Sequence, residues 1–300
     1  MMSDYALQQA FNALSVGGEY ALLALGLAIV FSVMHLVNFA HGDMITVGGY
    51  AMFLLILFGV RDPFLVLPFG VLITVLAALL IERVAFKPVR GASPTTGMLT
   101  AFGVSIIIQN VALIFGGSRP KAVQTADWLA SSLSIGSVQI PVVQVLETVV
   151  TLAAIIGLVA LMRYTTVGLA MRAAAKDVPV VRLMGVKADR VILSAFAISG
   201  FLAGLAGIFI LARRGAVDPF MGFAPVLKAF VAAVLGGFGS LPGAVVGGFA
   251  LGIAEVGLQV LLPPEIAGFR DAFVFLLIGI VLVFRPQGIL GERPDFGEKS

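Results

Sequence analysis

Side chains that could bind a solute or pass a proton gather near the start of the chain. In HLVNFAHGDMITVGGY, Asn38, His41 and Asp43 interrupt two long apolar runs, and Gly42, Gly48 and Gly49 relax the backbone beside them. Within a bilayer such groups are costly unless they face protein or a water-filled path, which makes them candidates for a translocation path. The expected geometry is a broken helix in which Gly42 leaves helical dihedrals and Asn38 and Asp43 satisfy the freed backbone groups. In the competing reading these residues cap two helices, with Asp43 serving the N-terminus of the second. His35 and His41 are six positions apart, well over a right angle on an unbroken helix, so no two-histidine metal site is expected. His35 reads as a hydrogen-bonded interfacial residue.

A second stretch, AAVLGGFGSLPGAVVGGFALG, sets Gly236, Gly237 and Gly239 just before Pro242. No Lys-Ser or Lys-Thr follows these glycines, so this is a backbone break and not a nucleotide loop. Gly243 with Gly247, Gly248 with Gly252, and Gly200, Gly204 and Gly207 have spacings that permit close helix approach. One break in each half, at NFAHG and at GGFGSLPG, is the arrangement of transporters built from two related halves, although no residue-by-residue repeat is visible.

The third stretch, RYTTVGLAMRAAAKDVPVVRLMGVKADR, predicts two short helices. The first covers 168–175 and carries Arg172; Asp177 then caps a second, which has Pro179 in its first turn and ends at Gly185. Val180, Val181, Leu183 and Met184 sit on a stem too small to form a core, so their apolar face needs membrane spans or another protein, and a docking surface is expected. Glu19, Gln109, Asn110, Glu147, Lys228, Glu255 and Gln259 are isolated polar residues within apolar runs. Lys228 with Glu255 is the one opposite-sign pair they suggest, against the alternative that both snorkel to a common interface.

The elements that position these residues must be membrane spans. The 300 residues are 60% hydrophobic and 12% charged, with a mean hydropathy of +1.09, whereas a soluble domain is about a quarter charged. Apolar runs at 14–37, 44–60, 64–85, 99–115, 143–162, 191–211, 226–238, 242–262 and 272–284 predict an all-α polytopic membrane protein with about eight or nine spans, including broken helices. The run at 226–238 is too short for a full crossing. Arg83, Lys87 and Arg90, and then Arg163, Arg172, Lys176, Arg182, Lys187 and Arg190, mark two cytoplasmic loops. Alternate crossings then put the N-terminus outside, residues 116–142 in an outer loop with Trp128 at the interface, residues 163–190 in a cytoplasmic loop, and the tail with Arg285, Arg293 and Lys299 inside. Arg213 and Arg214 conflict with this scheme. The N-terminal segment lacks a basic region and a cleavage pattern, so the first span is expected to stay in the mature protein.

Composition also excludes several functions. With no cysteine and two histidines, thiolate chemistry, disulfides and a metal centre are not expected. No GxSxG, HExxH, Lys-bearing phosphate loop or catalytic carboxylate pair is present, so the chain has neither its own ATPase site nor covalent catalysis. A net charge of +3 without basic runs interleaved with aromatics does not suggest nucleic acid.

Three stretches, GGEYALLALGLAIVFSVMHLVNFAHGDMITVGGY, GLAMRAAAKDVPVVRLMGV followed by SAFAISGFLAGLAGI, and VLGGFGSLPGAVVGGFALGIAE, resemble the branched-chain amino acid permease family of ABC importers. The resemblance spans nearly the whole chain, treated as one permease domain over 1–300, and favours the smaller of two homologous permeases. It implies a multi-pass inner-membrane subunit that pairs with a second permease, docks two cytoplasmic ATPases carrying ATP-Mg, and receives substrate from a periplasmic binding protein. Arg172, Ala173, Ala174, Asp177, Leu183, Met184 and Gly185 would form the ATPase-coupling segment. Asn38, His41, Gly42 and Asp43, with Gly236, Gly237 and Gly239, would lie along the translocation path. A urea or short-chain amide permease shares these motifs. An autonomous ion-coupled carrier using His41, Asp43 and Glu255 is the alternative of another class.

Overall fold

The structure, a computed structural model, describes residues 2–123, 127–135 and 138–291. Its helices are α1 (Met2–Met34), α2 (His41–Leu57), α3 (Pro63–Ile81), α4 (Pro94–Gly116), α5 (Val142–Tyr164), α6 (Thr166–Ala174), α7 (Val178–Leu183), α8 (Ala188–Arg214), α9 (Phe223–Gly236), α10 (Leu241–Leu261) and α11 (Arg270–Phe284). Seven are long and apolar enough to cross a bilayer, and α2 and α9 are shorter apolar helices. The protein is therefore an all-α polytopic membrane protein. Helix α1 begins well before the expected residue 14, because no glycine or proline interrupts residues 2–14.

Helix starts follow local chemistry. Asp62, Ser93 and Ser240 each accept a hydrogen bond from a backbone amide of the first turn of α3, α4 and α10, and each helix has one proline at its first or second position, Pro63, Pro94 and Pro242. The segment joining α4 and α5 contains short strands among the described residues. Strand β2 (Ser132–Ile135) forms an antiparallel hairpin with β3 (Val138–Pro141), and β1 (Lys121–Ala122) pairs with β4 (Ala216–Val217) after α8. These strands mark one end of the bundle, called the hairpin end below; α6 and α7 mark the other. Arg293 and Lys299 lie outside the described residues.

Helices α1 and α8 occupy the centre. Glycines let the neighbours approach them: a Cβ on Gly248 would fall 2.4 Å from the Ala21 nitrogen, and one on Gly200 would fall 2.7 Å from the Ala78 Cβ. Thus α1 packs on α10 as α8 packs on α3, α1 meets α9 as α8 meets α2, and the pairs α2–α3 and α2–α4 are matched by α9–α10 and α9–α11. A shift of 180 residues carries Met34, the end of α1, onto Arg214, the end of α8, and Ile81, the end of α3, onto Leu261, the end of α10. Counting crossings makes the two sets run in opposite senses, which gives an inverted repeat linked by α5 to α7.

Candidate translocation site

Around Asn38 the chain is not helical. It leaves α1 through His35, whose φ of 54° is left-handed. His35 is exposed and its ring lies 5.9 Å from that of Phe31. The chain then climbs α4: Leu36 touches Gly97, Phe39 stacks on Phe102 at 4.5 Å, and Asp43 accepts from the Gln109 amide at 3.0 Å. Gly97 to Gln109 is roughly 18 Å of helix, so α2 starts within the depth of the bundle and not at its edge.

Asn38 closes this break with an Asx turn. Its Oδ1 accepts from the Ala40 amide at 3.1 Å, and its carbonyl accepts from the His41 amide at 3.2 Å. Two expectations are corrected here. Gly42 keeps helical dihedrals as the second residue of α2, since His35 and the Asx turn absorb the change of direction. Asp43 does not cap α2, because its carboxylate is drawn sideways to Gln109.

The counterpart of this break lies at 218–222, not at GGFGSLPG. Asp218 Oδ1 accepts from the Phe220 amide at 3.0 Å, and the Asp218 carbonyl accepts from the Met221 amide at 3.3 Å. The shift of 180 carries Asn38 onto Asp218 and Gly42 onto Gly222. The two glycines touch: a Cβ on Gly42 would lie 2.2 Å from the Gly222 oxygen, and one on Gly222 would lie 1.9 Å from the Gly42 oxygen. Two shortened helices therefore meet N-terminus to N-terminus inside the bundle. Neither has a side-chain cap among the described residues, so their positive dipole ends converge there. The repeat escaped a sequence reading because the two breaks, NFAHG and DPFMG, share in register only an Asx and a glycine.

His41 is fully buried, with Nδ1 3.0 Å from the Ser199 hydroxyl of α8 and its ring against Gly26 of α1. It ties the start of α2 to both central helices. Asn38 and Asp43 are also buried. Gly236, Gly237 and Gly239 lie elsewhere, at the turn from α9 to α10. Gly237 (φ 110°) and Gly239 (φ 91°) need left-handed backbone, and the freed carbonyls of Leu235 and Gly236 accept from the Ile289 and Leu290 amides at 2.8 and 2.9 Å. That turn borders a cavity of about 950 Å³ that also reaches His35 and Ala175.

Two ionic clusters flank α1 toward the hairpin end. Arg213 bonds Glu19 of α1 and Glu147 of α5, and Ser15 donates to Glu147. The Gln144 amide donates to Asn12 at 2.7 Å. Burial against two carboxylates explains why Arg213 can sit against the positive-inside pattern. The spacing Asn12, Ser15, Glu19 facing Gln144, Glu147 was the available signal, one helical face on each side. In the second cluster Glu255 accepts from Lys228 at 2.8 Å, Tyr20 at 2.6 Å and Arg270 at 3.0 Å, and Lys228 also meets Asp271 at 3.1 Å. Lys228 and Glu255 are thus paired and do not merely snorkel. None of these partners belongs to Asp43, so Asp43 and Glu255 sit in separate hydrogen-bonded clusters. Arg213→Met should destabilise the protein by about 3–5 kcal/mol by stranding buried carboxylates. The check is its unfolding midpoint in detergent, with partial recovery when Glu147→Gln is added; no recovery would refute the coupling.

At the other end, Thr165 caps α6 by accepting from Gly168, and Asp177 caps α7 by accepting from Val180 at 3.0 Å. Gly185, at φ 81°, turns the chain after α7. Arg172 and Ala173 are exposed, while Ala174 and Val181 anchor the pair in the bundle. Leu183 is 88% and Met184 77% exposed, so the apolar tip finds no cover among the described residues. Arg90 braces the base of α8 through Glu82 and Asp189. Burial lowers the affinity of its guanidinium for a proton below the usual arginine range, and Asp189 opposes that shift.

Residues 9–284 match the family model described as branched-chain amino acid transport system / permease component. The chain belongs to this family. It is 36% identical over 97% of both chains to the high-affinity branched-chain amino acid transport system permease protein LivH of Salmonella typhimurium. It is equally identical, over 96% of both chains, to BraD of Pseudomonas aeruginosa, which bears the same description. The corresponding LivM of Salmonella typhimurium is 29% identical over 94% of this chain and 70% of its own length. The resemblance to the smaller permease of the family is thereby supported over the longer one.

Proposed function

We propose that this chain is one permease subunit of a binding-protein-dependent ABC importer for branched-chain amino acids in the bacterial inner membrane. The observation that carries this reading is the near end-to-end correspondence with LivH. A homologous permease completes the path, two cytoplasmic ATPases hydrolyse ATP-Mg, and a periplasmic protein delivers substrate. The N-terminus and the hairpin end lie outside, and α6, α7 and the C-terminus lie inside. The chain contributes no ATPase site.

Asn38, His41, Gly42 and Asp43 hold the central part of the path, and Gly236, Gly237 and Gly239 its cytoplasmic mouth. Residues 172–185 couple it to an ATPase. When the ATPases close, α7 moves with them and shifts α8, whose Ser199 grips His41 at the start of α2; the paired helix starts at Gly42 and Gly222 then change their angle. Proteoliposomes holding the assembled complex should accumulate leucine, isoleucine and valine only with ATP and the binding protein. Uptake of urea or a short amide in place of these would move the assignment to that substrate class. Uptake by the chain alone, driven by an ion gradient, would overturn it.

A further inference from the structure

Resting on the amino acid importer reading, we propose that the cleft between α2 and α4 is a binding subsite for a branched aliphatic amino acid. The cleft holds about 310 Å³, at the small end of ligand pockets. Its walls are Val47, Ile107, Ile108, Val111 and Ala112. Two hydroxyls break the apolar lining, Thr46 and Tyr50, one turn apart on α2.

Both hydroxyls are buried and without a hydrogen-bond partner among the described residues, and Thr46 itself is fully buried. That is unusual for a helical threonine, which satisfies itself on the carbonyl four residues back. Thr74 does so on Gly70 and Thr100 on Thr96, each at 2.8 Å; Thr46 leaves this option unused. A buried unpaired hydroxyl costs about 1–3 kcal/mol, a cost that a polar ligand group would offset. Gly116 gives the Tyr50 ring its place at this end, since a Cβ there would lie 2.5 Å from the Tyr50 Cε1 and 2.7 Å from its hydroxyl.

The position continues the path. Asp43 and Gln109 are bonded one turn before Thr46 and Ala112 on the same two helices. A solute entering from the hairpin end toward the α2 start therefore passes two hydroxyls on one side and branched aliphatic side chains on the other. That pattern fits a small zwitterion: the hydroxyls take its charged end and the Ile107, Ile108 and Val111 wall its side chain. An acyl chain of a lipid would fill the apolar part but leave both hydroxyls unpaired.

The test uses the assembled complex in proteoliposomes and photo-leucine as the probe. Adducts are expected within 46–54 or 107–116, suppressed by excess leucine but not by glycine. Thr46→Val, which keeps the side-chain shape, should lower maximal leucine uptake about tenfold at saturating binding protein, the worth of one hydrogen bond to a charged group. Ala112→Phe should fill the cleft and penalise leucine more than valine. Adducts confined to other segments, or full leucine uptake in both variants, would overturn the subsite. So would a phospholipid that co-purifies with the wild type and is lost from Ala112→Phe without change in uptake. Failure of the wild-type complex to take up any branched-chain amino acid would instead refute the importer reading and remove the subsite with it.

Discussion

Gly42→Ala and Gly222→Ala are each expected to abolish uptake and to lower the yield of folded protein sharply, although alanine is the better helix former. The reason is the crossing of two backbones. The added methyl would lie 2.2 or 1.9 Å from the opposing carbonyl oxygen, and a backbone atom inside a packed bundle has no rotamer by which to withdraw. Separating α2 from α9 would relieve the clash, yet His41 on Ser199 and Asp43 on Gln109 hold the α2 start in place. The expected cost is therefore at the upper end of about 1–3 kcal/mol for overpacking, or beyond it. Gly103 and Gly157 provide the comparison. Both are helical and a Cβ on either meets nothing within 4 Å, so Gly103→Ala and Gly157→Ala should be neutral or stabilising by up to about 1 kcal/mol. The check is thermal unfolding in detergent together with leucine uptake for all four variants. Wild-type behaviour of Gly42→Ala and Gly222→Ala would mean that the two helix starts are not in contact.

The sequence was most legible where one local rule decides the outcome. Apolar runs bounded by charge or proline located the seven helices long enough to cross a bilayer and the two shorter apolar ones among the described residues, and Asp177 with Pro179 and Gly185 announced α7 nearly to the residue, because capping is a property of a few adjacent side chains. Helix α4 ends at Gly116 and helix α5 starts at Val142, each within a residue of the bounds of its apolar run. Legibility failed where the relevant partner is distant. Gly42 looked like a hinge when read beside Asn38 and His41, but its partner is 180 positions away and its role is contact. Gly236 to Gly239 drew attention through glycine density, while the true counterpart of NFAHG, DPFMG, carries a single glycine. Charge told a similar story: Arg213 contradicted the topology rule until Glu19 and Glu147, on two other helices, neutralised it. A residue type and its neighbours report local backbone preference; they do not report which face of which helix will be opposite.

The exposed tip of α7 carries the other large prediction. Leu183 and Met184 lie at the end of a six-residue helix, too short to be stable alone and held by Val181 and the α6 contact. Replacing both by aspartate removes no internal contact of note, since each side chain is more than three-quarters exposed, so the fold should survive with an unchanged unfolding midpoint. Assembly should not. An apolar tip entering a groove on the ATPase would become two carboxylates, each losing its hydration without a cation in exchange, and charged groups are depleted from interface cores for that reason. Loss of an apolar anchor alone is worth about 2 kcal/mol or more at an interface hot spot, and the desolvation of charge adds to it. Leu183→Asp with Met184→Asp is therefore expected to lose the ATPases on size-exclusion chromatography, and with them all ATP-driven uptake. Leu183→Ala alone should leave a weakened complex that regains activity at higher ATPase concentration, because truncation shrinks the contact without opposing it. If the double aspartate variant assembled normally and transported at the wild-type rate, α7 would not be the coupling element. The drive would then have to enter through another surface at the same end, of which the Arg90 brace at the base of α8 is the nearest.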